Sequence, residues 1–153
     1  MTAIAYRDGI MAADSRVIRK NLKIDPAVEP SKIFRAKVRL RKKDKAVECL
    51  VGGAGEACPD DFFVKEWLEE NPLIELPALY GNFRALVVFP SRRIFEVSDD
   101  GDMCPILLSF YAIGAGAEIC MGAMEMRATA KQAVAAAIKW CPDCDGPIVS
   151  ERI

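Results

Sequence analysis

The stretch Thr2-Ala3-Ile4-Ala5-Tyr6-Arg7-Asp8-Gly9-Ile10-Met11-Ala12-Ala13-Asp14-Ser15-Arg16 decides how the rest of the chain is read. Residues 2–6 alternate small and apolar positions, and Arg7-Asp8-Gly9 is a tight-turn signal. Residues 10–15 then read as a return strand. It is apolar at nearly every position, which predicts burial on both faces rather than on one.

Outward from that hairpin, Pro26 and Pro30 interrupt a less regular extended region. Residues 31–40 and 46–51 read as a second hairpin around the basic run at 35–45, and Gly52-Gly53-Ala54-Gly55 ends its second strand. Residues 56–71 read as an amphipathic helix. Pro59 suits a first turn, Asp60 and Asp61 lie near the positive end of the helix dipole, and Phe63, Trp67 and Leu68 share a face. Residues 83–89 and 93–97 form another strand pair, 99–102 a polar turn and 109–113 a further strand. Two helices follow in series, 116–127 and 129–140. The first is small or apolar on almost every side and the second is alanine-rich. Residues 147–153 read as a last short strand. Hairpins interrupted by helix pairs give an α+β layered fold.

The chain has 153 residues, of which 52% are hydrophobic, and it reads as one domain over residues 1–153. A net charge of −1 gives no electrostatic reason for binding nucleic acid or a membrane surface. The basic run alternates with Val38 and Leu40 and interleaves no aromatic residue, so it reads as a solvated hairpin tip. The start shows neither a cationic segment nor an apolar core of a signal peptide, and no apolar stretch is long enough to span a bilayer. The expected setting is the cytoplasm, with the six cysteines reduced and mostly buried. There is no histidine, which removes Ser-His-Asp and Cys-His hydrolysis and histidine metal sites. A catalyst in this chain must use a carboxylate, an amine, a thiol or a hydroxyl.

Five segments, in order, resemble one family. They are the opening 15 residues ending in Asp14-Ser15-Arg16, then Ser31-Lys32-Ile33-Phe34, Gly52-Gly53-Ala54-Gly55, Tyr111-Ala112-Ile113-Gly114-Ala115-Gly116, and Gly146-Pro147-Ile148. Together they resemble the proteasome β subunits and HslV, the bacterial proteasome-like peptidase, both N-terminal nucleophile hydrolases. The resemblance implies a four-layer αββα sandwich. It implies a self-compartmentalising homo-oligomeric ring that degrades polypeptide within an inner chamber, fed by an ATP-dependent unfoldase. It implies no cofactor and no metal.

It also implies roles. Thr2 takes the place of the N-terminal threonine nucleophile. A threonine hydroxyl alone is weak and needs an adjacent base. A chain-terminal threonine carries its own, an α-amino group with a pKa of roughly 7.7–8.0. That amine exists only once Met1 is removed; the residue after it is small enough for ordinary methionine removal, and no longer propeptide is expected. Lys32 resembles the lysine that keeps the amine deprotonated, and Asp14 the aspartate that holds the lysine. Backbone N–H groups of Gly53, Ala54 and Gly55 would form the oxyanion hole, and Arg16, Ala115 and Gly116 would support the site. Taken singly, Thr2 is an ordinary strand residue, Asp14 a turn residue and Lys32 a surface lysine; the joint order gives them chemistry.

Two departures stand out. The family has serine where this chain has Ala115, and its later aspartate and serine fall on Cys141 and Cys144 when the following turns are matched. Cys141-Pro142-Asp143-Cys144 also invites a redox or zinc reading. A redox CxxC normally opens a helix, whereas this one closes a helix, where the dipole disfavours a thiolate. A zinc site needs further ligands that no second CxxC or histidine supplies. A helix-end turn is the reading that remains. Three functions follow: a threonine endopeptidase using mature Thr2, a non-catalytic ring subunit, or another N-terminal nucleophile hydrolase acting on a small amide.

Overall fold

Strand β1 (Ala3–Arg7) turns back at Asp8-Gly9 into β2 (Ile10–Ala13). Both turn residues have positive φ, 51° and 80°, as a two-residue hairpin turn of matching twist requires. In the computed structural model, which describes residues 2–19, 22–24, 31–55, 61–79 and 81–153, this hairpin is the middle of a four-stranded antiparallel sheet. Its neighbours are β10 (Phe110–Gly114) beside β1 and β11 (Val149–Arg152) beside β2. A separate small hairpin, β3 (Val17–Arg19) and β4 (Leu22–Ile24), lies in the region expected to be irregular. Met1, Pro26, Pro30, Cys58 and the expected first turn of the helix at 56–71 lie outside the described residues.

The second sheet is a five-stranded meander. It runs β5 (Ile33–Val38), β6 (Val47–Gly55), β7 (Phe83–Val88), β8 (Ile94–Ser98) and β9 (Met103–Ile106), each antiparallel to the next. Two features differ from the sequence reading. Gly52-Gly53-Ala54-Gly55 does not stop the strand after residue 51: it is the last part of β6, paired with β7 from Gly52–Leu86 through Gly55–Phe83. The sheets meet closely there, for a side chain on Gly52 would lie 2.7 Å from Met11 Sδ and 2.8 Å from Ile4 Cγ2. Strand β9 was not expected. Its Pro105 sits opposite Phe95 at the outer edge of the meander, where a missing N–H does no harm.

Strand alternation sorts the core into three layers of side chains. Ile4, Tyr6, Met11 and Ala13 face Ile33, Leu50, Leu86, Val88 and Ile94 between the sheets. On the outer face of the first sheet, Ala3, Ala5 and Ala12 pack against α2 (Ala117–Glu125) and α3 (Ala130–Trp140) through Cys120, Met124, Ala133, Val134 and Ala137. The methyl-sized side chains on both sides let these helices lie close to the strands. On the far side of the meander, α1 (Asp61–Glu70) and a single 3-10 turn (Leu73–Glu75) cover Val38, Val51, Val87 and Val97 with Val64, Trp67 and Leu68. The order is helix, sheet, sheet, helix, the expected αββα sandwich. The apolar run of β2 follows from it, because both faces of β2 are covered.

Helix α3 starts where sequence chemistry places it. Thr129 Oγ1 accepts from Gln132 N–H at 3.2 Å, and Gln132 Oε1 accepts from Thr129 N–H at 2.9 Å, a reciprocal capping box. It ends at Trp140, and the Cys141–Cys144 turn leads into β11.

Candidate active site

Four chain segments converge at one end of the two sheets. Thr2 precedes β1, Asp14 follows β2, Lys32 precedes β5 and Gly116 precedes α2. Thr2 and Asp14 are buried, at 4% and 1% exposed. The β1–β2 ladder extends one step to carry Asp14 there, since Asp14 N–H donates to the Ala3 carbonyl at 3.1 Å.

The Asp14 carboxylate is the hub. Its Oδ1 accepts from Lys32 Nζ at 2.8 Å and from Ala3 N–H at 2.8 Å, and its Oδ2 accepts from Asp145 N–H at 3.2 Å. Three donors thus converge on a carboxylate with no exposed side-chain surface. The Lys32 ammonium, about a tenth exposed, is thereby fixed within one shared acceptor of the residue that follows Thr2. A positive charge held beside a chain-terminal amine raises the cost of protonating that amine and favours alkoxide character on a neighbouring hydroxyl.

The main chain of Thr2 is fixed from the other side. Its carbonyl accepts from Gly116 N–H at 3.2 Å. A Cβ at Gly114, where φ is +94°, would collide with that same carbonyl oxygen, so the chain reverses around Thr2 only with glycine there. Between these glycines Ala115 is exposed and brings no hydroxyl. The space a Gly116 side chain would take is filled by the Ala3 and Ala137 methyls and by Cys144 Sγ, at 2.8, 2.9 and 3.0 Å. Arg16 donates from its Nη1 to the Pro142 carbonyl.

Of the segment expected to hold an oxyanion, Gly53 has its N–H engaged by the Lys32 carbonyl at 3.0 Å. Ala54 and Gly55 are paired across to Arg84 and Phe83 of β7. The structure thus brings Thr2, Asp14, Lys32, Arg16, Ala115 and Gly116 into one neighbourhood and joins Gly53 to it through Lys32. Two contributors were not foreseen. Asp145 and Gly114 act through backbone, one as an amide donor and one by its φ. A Gly at a strand-to-helix junction was the available signal for the second, and the first had none.

Cys120, Cys141 and Cys144 line the helix side of this neighbourhood as free thiols. Burial first, and then the nearby Asp14 charge and the Cys141 sulfur, push the Cys120 thiol up to about 12. Burial likewise pushes Cys144 up to about 12, followed by its hydrogen bond with Cys141 and the charge of Asp14. Both therefore stand as neutral thiols in a site built around one buried carboxylate. Among the described residues no cluster of His, Cys, Asp or Glu can hold a metal ion.

Solved structures share this architecture across almost the whole chain. HslV from Trypanosoma brucei superposes with a TM-score of 0.69 at 14% identity, covering 98% of this chain and 97% of its own. The fold is that of the proteasome-like N-terminal nucleophile hydrolases. BPH from Thiobacillus denitrificans, in complex with epoxomicin, gives 0.68 at 18% identity, covering 99% of this chain and 97% of its own. A Gly-1 mutant of Anbu from Hyphomicrobium sp. strain MC1 gives 0.66 at 13% identity, with 100% and 82% covered. No family model and no curated protein matches the sequence. At this level of identity, what the N-terminal nucleophile hydrolase fold contributes here is a scaffold, and the residues on it must supply the case for chemistry.

Proposed function

We propose that the chain is a threonine endopeptidase subunit that degrades polypeptide in a cytoplasmic homo-oligomeric ring, with Thr2 as nucleophile once Met1 is removed. The observation that carries this reading is the buried Asp14–Lys32 pair at 2.8 Å, whose carboxylate also holds the amide one residue past Thr2. In the reaction the Thr2 amine takes the hydroxyl proton and the hydroxyl oxygen attacks the peptide carbonyl. The leaving amine takes that proton, and water then cleaves the acyl ester. Lys32 opposes protonation of the Thr2 amine beforehand, and Asp14 fixes Lys32. The oxyanion donor is drawn from Gly53, Ala54 and Gly55. Since Gly53 N–H is spent on Lys32, Gly55, two residues along the same strand and facing the same side, is the favoured member. Feeding of the ring by an ATP-dependent unfoldase belongs to the same reading. No helix of the described residues is long and apolar enough to cross a membrane, which is compatible with that setting.

A second reading is favoured by one observation, the exposed Ala115 methyl in place of a site hydroxyl. It makes the chain a ring subunit that assembles without cutting. Epoxomicin, the ligand of the BPH neighbour, separates the two. Under the peptidase reading the native protein lacks Met1 and gains one epoxomicin at Thr2, and Thr2→Ala takes up none. Retention of Met1 in the native host, with no adduct, would sink that reading. Turnover of small amides without turnover of peptides would instead mark an amidohydrolase.

A further inference from the structure

We propose that Cys141 and Cys144 are a redox-sensitive dithiol whose closure to a disulfide acts on the Asp14 anchor. The turn after α3 places them. Cys144 N–H donates to the Cys141 carbonyl at 3.1 Å, an i to i+3 turn. Such a turn holds its end Cα atoms within about 7 Å, which overlaps the roughly 4.4–6.8 Å window of a disulfide. Both thiols are free, and Cys141 acts on the Cys144 thiol as a near neighbour. Bond formation therefore needs side-chain rotation and a small tightening, not a rearrangement of strands.

The turn is gripped at both ends by the segment carrying the carboxylate. Arg16 Nη1 donates to the Pro142 carbonyl inside it, and Asp145 N–H, one residue beyond it, donates to Asp14 Oδ2 at 3.2 Å. A Cβ added at Gly146 would lie 2.5 Å from Ser15 Oγ, so the same three-residue segment also packs against the next position. Tightening the turn consequently moves the donor on Asp14 Oδ2. The groups that face the pair are Cys120 from α2, Asp14 from the end of β2 and Ala3 from β1.

Burial determines how the step proceeds. Cys144 is 4% exposed and Cys141 8%, beneath the exposed Pro142. Exchange starts at Cys141. Its thiolate attacks one sulfur of a low-molecular-weight disulfide such as glutathione disulfide, and one glutathione leaves. The Cys144 sulfur then attacks Cys141 in the mixed disulfide, and the second glutathione leaves. Two electrons pass from the cysteine pair to glutathione disulfide, and the two thiol protons finish on the two glutathiones. Burial of both sulfurs, with the Cys144 thiol pushed up to about 12, makes the exchange slow, and it limits the pair to a switch rather than a turnover site.

The disulfide itself does not depend on the peptidase reading; its effect on Thr2 labelling does. The test incubates the reduced full-length protein with glutathione disulfide, alkylates the remaining thiols and maps peptides by mass spectrometry. The expected product has lost the mass of two hydrogens, carries a Cys141–Cys144 link, and changes amide exchange at Asp145 and Ala3 by about fivefold or more. Cys144→Ser should abolish both the link and the change in exchange. A reduced pair that persists while exposed Cys104 reacts would overturn the proposal, as would a link through Cys120 or unchanged exchange at Asp145 in the oxidised protein. Epoxomicin labelling of each redox form then reads the effect on Thr2 separately.

Discussion

Removing one end of the Asp14–Lys32 pair should cost more than the pair itself is worth. The Asp14 side chain is fully buried and that of Lys32 is 10% exposed. Asp14→Ala leaves the ammonium without its carboxylate and takes the acceptor from the Ala3 and Asp145 amides. Breaking a buried pair from one side costs about 3–5 kcal/mol. The two amides add to this less than additively, so a total of about 4–6 kcal/mol is expected. Lys32→Met is milder, at about 2–4 kcal/mol, because Asp14 keeps both amide donors. The double variant leaves no buried charge at this pair and should lie about 2–4 kcal/mol closer to wild type than the sum of the singles. Urea unfolding at fixed protomer concentration reads this directly. With a slope of about 2 kcal/mol/M, Asp14→Ala shifts the midpoint by roughly 2–3 M. If that variant does not fold, Asp14→Asn, which keeps the shape and one acceptor, takes its place in the cycle. Single effects that add to within about 0.5 kcal/mol would refute the coupled, buried pair.

Gly114→Ala should lower stability by about 2–4 kcal/mol, since the new Cβ meets the Thr2 carbonyl at a φ of +94°; calorimetry should show a Tm drop of roughly 5–15 °C. Ala115→Ser, at an exposed position, should leave Tm unchanged and speed epoxomicin labelling of Thr2 by about tenfold. An unchanged labelling rate would mean that a hydroxyl at this position is not the missing part. Alkaline stability follows from the thiols. Folding raises Cys120 and Cys144 from 9.0 to about 12, so the unfolded chain loses these protons first. Their contribution is intact below pH 9 and is lost as pH climbs towards 12. Cys120→Ala should flatten the fall in urea midpoint across that window, and an unaltered slope would contradict the burial of this thiol.

The parts of the fold legible in the sequence are those with a local cause. The Asp8-Gly9 turn and the apolar run behind it give β1 and β2, and Thr129 with Gln132 marks the start of α3. Strand β9 was hidden because Pro105 argues against a strand everywhere except at an edge, and edges are a property of the assembled sheet. Gly52 to Gly55 read as the stop of a strand because glycine has two uses, to break a strand or to let another chain come close. Only the meeting of Ile4 and Met11 with β6 shows that close approach is the one in force. In the site, Asp14 and Lys32 were legible through the order of motifs. The Asp145 amide was not, because a backbone donor leaves no trace in residue type.

The choice of residues at the hub bears on whether the site works. A buried ion pair is a poor device for stability, since apolar side chains of the same volume often do as well or better by about 1–4 kcal/mol. A subunit retained only for assembly would lose no more than the acceptor of the Ala3 and Asp145 amides by exchanging Asp14 and Lys32 for such residues, whereas a peptidase would also lose the charge that tunes Thr2. Asp14→Leu combined with Lys32→Met therefore asks the question in one protein. The peptidase reading expects it to fold with a loss of about 1–3 kcal/mol, from the Ala3 and Asp145 amides left without their acceptor, and to take up no epoxomicin although Thr2 is intact and Met1 absent. A folded double variant that still labels at Thr2 at the wild-type rate would show that the pair does not serve the nucleophile, and would remove the observation on which the peptidase reading rests.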